Sequence, residues 1–232
     1  PEKLQNKIWQ EYIWHRQKVS QLAEKYQRSE RWIRNQLAVV QVIKSSVPPQ
    51  PLVVIADACF FKKVFGVLVF RSFKLRKNLY WREINSEKIE YYRQARLFLE
   101  SLGFKFLAAV IDGRKGVKEV FADIPVQMCQ FHQKLIINRY LTTKPKLEAS
   151  IELRAIVASL CRTTREEFAE KLTVWYLKWQ SFLKKKTIIA DPKSKKKWFY
   201  THGRVRSAYY SLQRNLPYLF TYQNYPELEI PN

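Results

Sequence analysis

Three prolines within four positions, in the run Ser46-Val47-Pro48-Pro49-Gln50-Pro51, constrain this chain more than any other feature. Each fixes its own φ and disfavours helix at the residue before it, so no regular helix can pass through the segment. The stretch is stiff and extended, and it marks a domain boundary. Hydrophobic period differs on its two sides. Upstream, residues 4–38 contain neither proline nor glycine, and Leu4, Ile8 and Tyr12 fall at helical spacing. A second helix is expected over Val19–Tyr26 with Leu22 and Ala23 inward, and a third from an N-capping Ser29 through Leu37 with Ile33 and Leu37 inward. Two short helices joined by a tight turn form a helix-turn-helix pattern, here over residues 1–46. Gln27 takes the turn position that often goes to glycine. The start of the third helix, with Ser29, Arg31 and Arg34, is aimed at base edges and phosphates. The alternative is a three-helix cap with ordinary surface arginines.

Downstream the pattern becomes that of strands. Leu52–Ile55 is a β-branched apolar run ending at Asp57, and Lys63–Phe73 and Asn78–Ile84 read as two further strands of a meander. Ser86 is read as the cap of a helix with Tyr91, Ala95, Phe98 and Leu102 on one face, stopped by Gly103. Phe104–Ile111 is a buried strand ending at Asp112-Gly113; a short helix at Val117–Phe121 and a strand at Pro125–Cys129 follow, and then helices. The fold class is therefore α/β: a mixed sheet in the order of elements of the ribonuclease H-like fold, with an inserted all-α segment, preceded by the small all-α helix-turn-helix domain. The core occupies 52–140, the helical insertion 141–225, and 226–232 begins a return to the core.

In that topology the fourth strand lies parallel to the first, which brings Asp57 and Asp112 together across the intervening sequence. Two neighbouring carboxylates repel and raise one another's pKa unless a cation sits between them. Hard oxygen ligands with open positions suit Mg²⁺ or Mn²⁺, and a pair of such ions roughly 4 Å apart supports in-line phosphoryl transfer. Taken singly, Asp112-Gly113 is a common turn pair and Asp57 could cap its own strand end. Charge weighs on the catalytic side. Against 20 Asp+Glu stand 42 Lys+Arg, a net +22, which points to a polyanionic partner. No apolar run reaches the length of a membrane span, so the partner expected is nucleic acid and not a membrane.

The run Val110-Ile111-Asp112-Gly113-Arg114-Lys115-Gly116, then Ile124-Pro125-Val126-Gln127-Met128-Cys129-Gln130-Phe131-His132, resembles bacterial insertion-sequence transposases of the mutator-like superfamily, DDE enzymes with a ribonuclease H-like core. In that family the first acid follows a strand, as Asp57 does within Val54-Ile55-Ala56-Asp57-Ala58. The second precedes a glycine and basic residues, as Asp112 precedes Gly113, Arg114 and Lys115, and a Cys-x-x-His pair follows, matched by Cys129 and His132. The resemblance implies a DNA transposase that cleaves and joins strands at element ends. Its metal ligands would be Asp57 and Asp112, carrying two Mg²⁺ or Mn²⁺ ions in the complete enzyme, and His132 would stand beside them. Double-stranded DNA, both element ends and target, would be its partner, bound by a homo-oligomer in the bacterial cytoplasm at the nucleoid. It also implies a third acid, a Glu behind an Asn-rich lead-in, after the helical insertion. No Glu stands in that context. Glu227 and Glu229 lie in a segment flanked by Pro226 and Pro231. The chain, which opens at Pro1 and closes on Ile230-Pro231-Asn232, is read as a fragment that lacks this Glu and is inactive or nearly so.

Three cysteines make no disulfide framework, and a reducing compartment fits them. Cys129 and His132 could be half of a zinc site, but Cys59, Cys161, His15 and His202 supply no matching pair. Phe168, Leu172, Trp175, Trp179 and Phe182 repeat at helical spacing and are read as a core face in preference to a base-stacking platform. Around Asp191 stand Lys184–Lys186, Lys193 and Lys195–Lys197, followed by His202-Gly203-Arg204-Val205-Arg206; Lys195, Lys196, Arg204 and Arg206 are expected to meet phosphates, as are Arg114 and Lys115. Two other function classes stay open: a DNA-binding protein without chemistry, and a ribonuclease H-like nuclease that cuts without joining.

Overall fold

A computed structural model describes residues 2–40, 47–61, 64–190 and 197–232. The chain divides into two compact units, Pro1–Ser46 and Val47–Asn232. In the first, α1 (Glu2–Ile13), α2 (Val19–Tyr26) and α3 (Glu30–Ala38) close around fully buried Ile8, Leu22 and Ile33. Of the three residues at helical spacing on α1, Ile8 is fully buried while Leu4 and Tyr12 at its ends are about 40% exposed. Ser29 caps α3 by accepting the Trp32 N–H. Gln27 takes the left-handed conformation (φ 51°) and its N–H closes α2 onto Ala23 and Glu24 carbonyls, so the tight turn forms without glycine. Lys25 donates to Glu11 at 2.9 Å and ties α2 to α1.

That ion pair holds the Glu11 carboxyl below its ordinary pKa, chiefly through the Lys25 hydrogen bond. A depressed carboxylate stabilises the fold above its unfolded pKa, ~4.3, and loses that contribution as pH falls through the folded value. Glu11→Gln is therefore expected to cost the first unit about 1 kcal/mol at pH 7. Hydrogen exchange over residues 2–38 should show the difference at pH 7 and show it shrinking as pH falls below the unfolded carboxylate pKa.

The second unit is built on one mixed five-stranded sheet, β1 (Pro51–Phe61), β2 (Phe65–Ser72), β3 (Lys77–Ile84), β4 (Lys105–Ile111) and β5 (Val126–Met128), in the order β3-β2-β1-β4-β5. β1–β2–β3 is an antiparallel meander, and β4 and β5 run parallel to β1. β1 does not end at Asp57. It continues to Phe61 because β2 keeps pairing with it (Asp57 with Val69, Phe61 with Phe65) after the β4 ladder has stopped at Ile55–Val110.

Alternation sorts the side chains of β1 onto two faces. Leu52, Val54 and Ala56, with Leu68 and Phe70, join the core under α4 (Ile89–Ser101) and the single turn α5 (Val117–Val120). Val53 and Ile55, with Ala108 and Val110, face the opposite way, against Cys129, Tyr222, Leu228 and Ile230. Helix α4 starts later than Ser86 suggests, at a Lys88 cap. It buries Tyr92, Ala95 and Leu99, while Phe98 and Leu102 stay half exposed, since the aromatic Tyr92 fits against Phe70. Gly103 does stop the helix, in the left-handed conformation (φ 94°).

After β5 come α6 (Gln130–Leu141), α7 (Glu148–Ala158) and α8 (Arg165–Lys184). The strands β6 (Lys186–Ile188) and β7 (Trp198–Tyr200) then lead to α9 (Gly203–Leu219) and α10 (Thr221–Asn224). These helices share a core in which Phe168, Leu172 and Trp175 are buried, so the aromatic stripe of α8 faces inward. β6 and β7 pair as an antiparallel hairpin in a region where only helices are expected from the sequence. Lys193, Lys195 and Lys196, the centre of the lysine-rich segment, lie outside the described residues.

Candidate active site

Asp57 stands two residues beyond Ile55, and Asp112 two beyond Val110, the last pair of the parallel β1–β4 ladder. Both therefore project on the face of the sheet that carries Val53, Ile55, Ala108 and Val110. Asp57 Oδ1 accepts the N–H of Ala58 at 2.8 Å, and Asp112 Oδ1 accepts that of Arg114 at 2.9 Å. Partial burial raises the Asp57 pKa above the ordinary carboxylate value. His132 opposes the rise, and the neighbouring Asp112 charge adds to it. Burial is the main cause of the rise, and the Asp112 charge is the smaller one.

His132 arrives from across the site. Cys129 caps α6 and its N–H extends the β4–β5 ladder by donating to the Ile111 carbonyl at 2.8 Å. Its side chain packs on the sheet face beside Ile55 and Val110. Three residues later, in the first turn of α6, His132 brings Nε2 to 3.9 Å from Asp57 Oδ2, while its Nδ1 is buried and unpaired. The Cys-x-x-His spacing thus works as one packing residue and one imidazole over the acid. The three cysteines form no disulfide, Cys59 (two residues beyond Asp57 on β1) and Cys161 are exposed, and His202 stacks on Phe182 at 3.5 Å. Among the described residues, no three His, Cys, Asp or Glu side chains are grouped closely enough to hold a metal ion.

The turn after Asp112 runs hard against β5. Gly113 has φ 83°, and a Cβ there would collide with the Met128 side chain. A network missing from the sequence reading anchors the same turn. Arg114 Nη1 donates to Glu87 Oε2 at 2.8 Å and Nη2 to the Glu87 carbonyl at 2.6 Å; Glu87 Oε1 also accepts from the buried Tyr92 hydroxyl at 2.7 Å. Burial, Glu87 and both aspartates push the Tyr92 pKa strongly upward, so Tyr92 stays a neutral donor. Nothing local signals this network, because Glu87 and Arg114 are 27 positions apart.

The residues expected to meet phosphates are distributed unevenly. Ser29 caps α3 of the first unit, and Arg31 and Arg34 lie on it; Arg31 is exposed and Arg34 pairs with Glu30. In the second unit Lys115 is exposed beside Asp112, whereas the Arg114 guanidinium is committed to Glu87. Arg204 donates to the carbonyls of Tyr140 and Arg139 and so closes the end of α6, while Arg206 lies 4.1 Å from the Tyr200 ring and 4.5 Å from that of Tyr210. Glu227 and Glu229 border a cavity with Gln50, Pro51 and Lys74, at the end of β1 remote from Asp57. No family model matches the chain, and no curated protein matches it. No helix among the described residues is long and apolar enough to cross a membrane.

Proposed function

We propose that the chain is part of a DDE-type DNA transposase of the mutator-like kind, with a ribonuclease H-like core. The observation that carries this reading is the convergence of Asp57 and Asp112 on one face, where the parallel β1–β4 ladder ends in a sheet ordered β3-β2-β1-β4-β5. The all-oxygen pair suits Mg²⁺ or Mn²⁺, which would supply charge neutralisation for in-line attack at a phosphodiester. Asp57 and Asp112 would hold that charge. His132, on the far side of Asp57, would orient a phosphate oxygen, and the turn anchored by Arg114 and Glu87 keeps Asp112 in place. The three-helix unit fits duplex recognition, with α3 entering the major groove and Arg31 leading. A homo-oligomer on DNA completes the proposal.

A second reading, recognition without chemistry, draws on the position of Glu227 and Glu229, which cannot reach Asp57 from the opposite strand end. A labelled DNA end incubated with Mn²⁺ and a longer chain that carries the Glu the resemblance implies separates the possibilities. Joined strands support the transposase. Cleavage without joining means a nuclease, and binding without either means a recognition protein.

A further inference from the structure

A groove opens from the turn after Asp112 and runs between α6 and α9. Its deeper part is a cavity of about 900 Å³ bordered by Lys115, Lys118, Arg139, Arg204 and Arg214, against one acid, Glu119. A second hollow of about 380 Å³ shares Tyr140 and Arg214 with the first and continues along Phe199, Tyr200, Arg206 and Tyr210. Among the described residues, none of Lys115, Lys118, Arg139 and Arg214 takes part in an ion pair. Cations facing one hollow repel each other, and a polyanion laid along it removes that repulsion.

The lining restricts which polyanion, because bases stacked inside a duplex cannot lie against protein rings, whereas those of an extended single strand can. The walls also carry rings where bases would lie: Tyr210 is 39% exposed, held by the Arg206 guanidinium on one side and edge-on to Tyr209, and Phe199 is 49% exposed on β7. Cations tracking a backbone beside open aromatic faces are the combination that binds unpaired strands without sequence preference.

We propose that this groove binds an unpaired stretch of DNA, with phosphates on Lys115, Lys118, Arg139 and Arg214 and bases stacked on Tyr210 and Phe199. Because one end of the groove is the Gly113–Gly116 turn, a strand opened at the acid pair passes directly onto it. The proposal rests on the DNA reading given above but not on its chemistry.

The test uses the full chain in EDTA with fluorescein-labelled dT12, an abasic 12-mer of the same backbone, and a 12-bp duplex, read by anisotropy. Stacking predicts that dT12 binds about tenfold tighter than the abasic strand. Tyr210→Ala and Phe199→Ala, on different elements, should each reduce that preference while leaving duplex binding unchanged. Arg214→Ala should weaken both single strands and lower the salt slope by about 0.7. Equal affinity for dT12 and the abasic strand overturns the proposal, as does equal loss of duplex and dT12 binding in Tyr210→Ala. Tighter binding of U12 than of dT12 overturns its assignment to DNA. The two readings fail separately: a dT12 preference without strand joining in Mn²⁺ overturns the transposase chemistry alone, and joining without a dT12 preference overturns the groove alone.

Discussion

Asp57→Asn and Asp112→Asn are each expected to weaken Mn²⁺ binding by at least about tenfold, with no loss of thermal stability. The magnitude follows from comparison with metal sites in general, where removing even an outer-shell partner costs 10–100-fold, and a direct carboxylate ligand contributes no less. The stability arm follows from the electrostatics. Asp57 is already pushed toward its neutral form by burial and by Asp112, so an uncharged amide there relieves repulsion. Asparagine also preserves the shape of the side chain and its acceptor for the Ala58 N–H. A titration followed by Mn²⁺ electron paramagnetic resonance, with a melt of each variant, reads both arms. Weaker binding with an unchanged or higher melting temperature is the signature of a cation site. Unchanged affinity would remove the aspartates from metal binding and leave them as turn and strand-end acids.

Why this site could be read from the sequence, while its supports could not, comes down to the range of the forces involved. Strand alternation is local, so the parity of Val53, Ile55 and Asp57, and of Ala108, Val110 and Asp112, can be counted without a structure. Adjacency of β1 and β4 followed from the order of elements, since a strand returning through a helix lies parallel to a neighbour. The end of β1 was misplaced at Asp57 because Ala58-Cys59-Phe60-Phe61 carries no alternation of its own; pairing with β2 extends it. The buried face of α4 was misassigned because Tyr91 and Phe98 look as apolar as Tyr92 and Leu99, and only the shape of the sheet surface around Phe70 chooses between them. The β6–β7 hairpin had a signal, Thr187-Ile188-Ile189 and Trp198-Phe199-Tyr200, that the surrounding lysines masked. Glu87 and the Arg204 bonds to α6 are tertiary throughout, and no residue pattern announces them.

Phe168→Ala is expected to destabilise the second unit by about 3–5 kcal/mol, the largest stability effect anticipated for this chain. Phe168 is fully buried, its ring 5.6 Å from that of Phe220, in a cluster with Leu172, Leu212 and Leu219. Truncation opens a cavity where α8 and α9 meet, and the Thr164–Glu167 capping box that fixes the start of α8 keeps the helix from sliding in to fill it. At ~2–4 °C per kcal/mol for a unit of this size, the melting temperature should fall by about 10 °C. Leu177→Ala is the matched control, since Leu177 lies on the outer face of the same helix at 61% exposure and should change stability by no more than about 0.5 kcal/mol. The pair also decides between the two roles a helical aromatic stripe can have. A core face predicts a large drop in melting temperature with DNA affinity per folded molecule unchanged. A stacking platform predicts the reverse, a loss of single-strand affinity with the melt unmoved, and that outcome would require Phe168 to be reachable from solvent. With no accessible surface on its ring, DNA has no path to it, so stability is where the substitution must register.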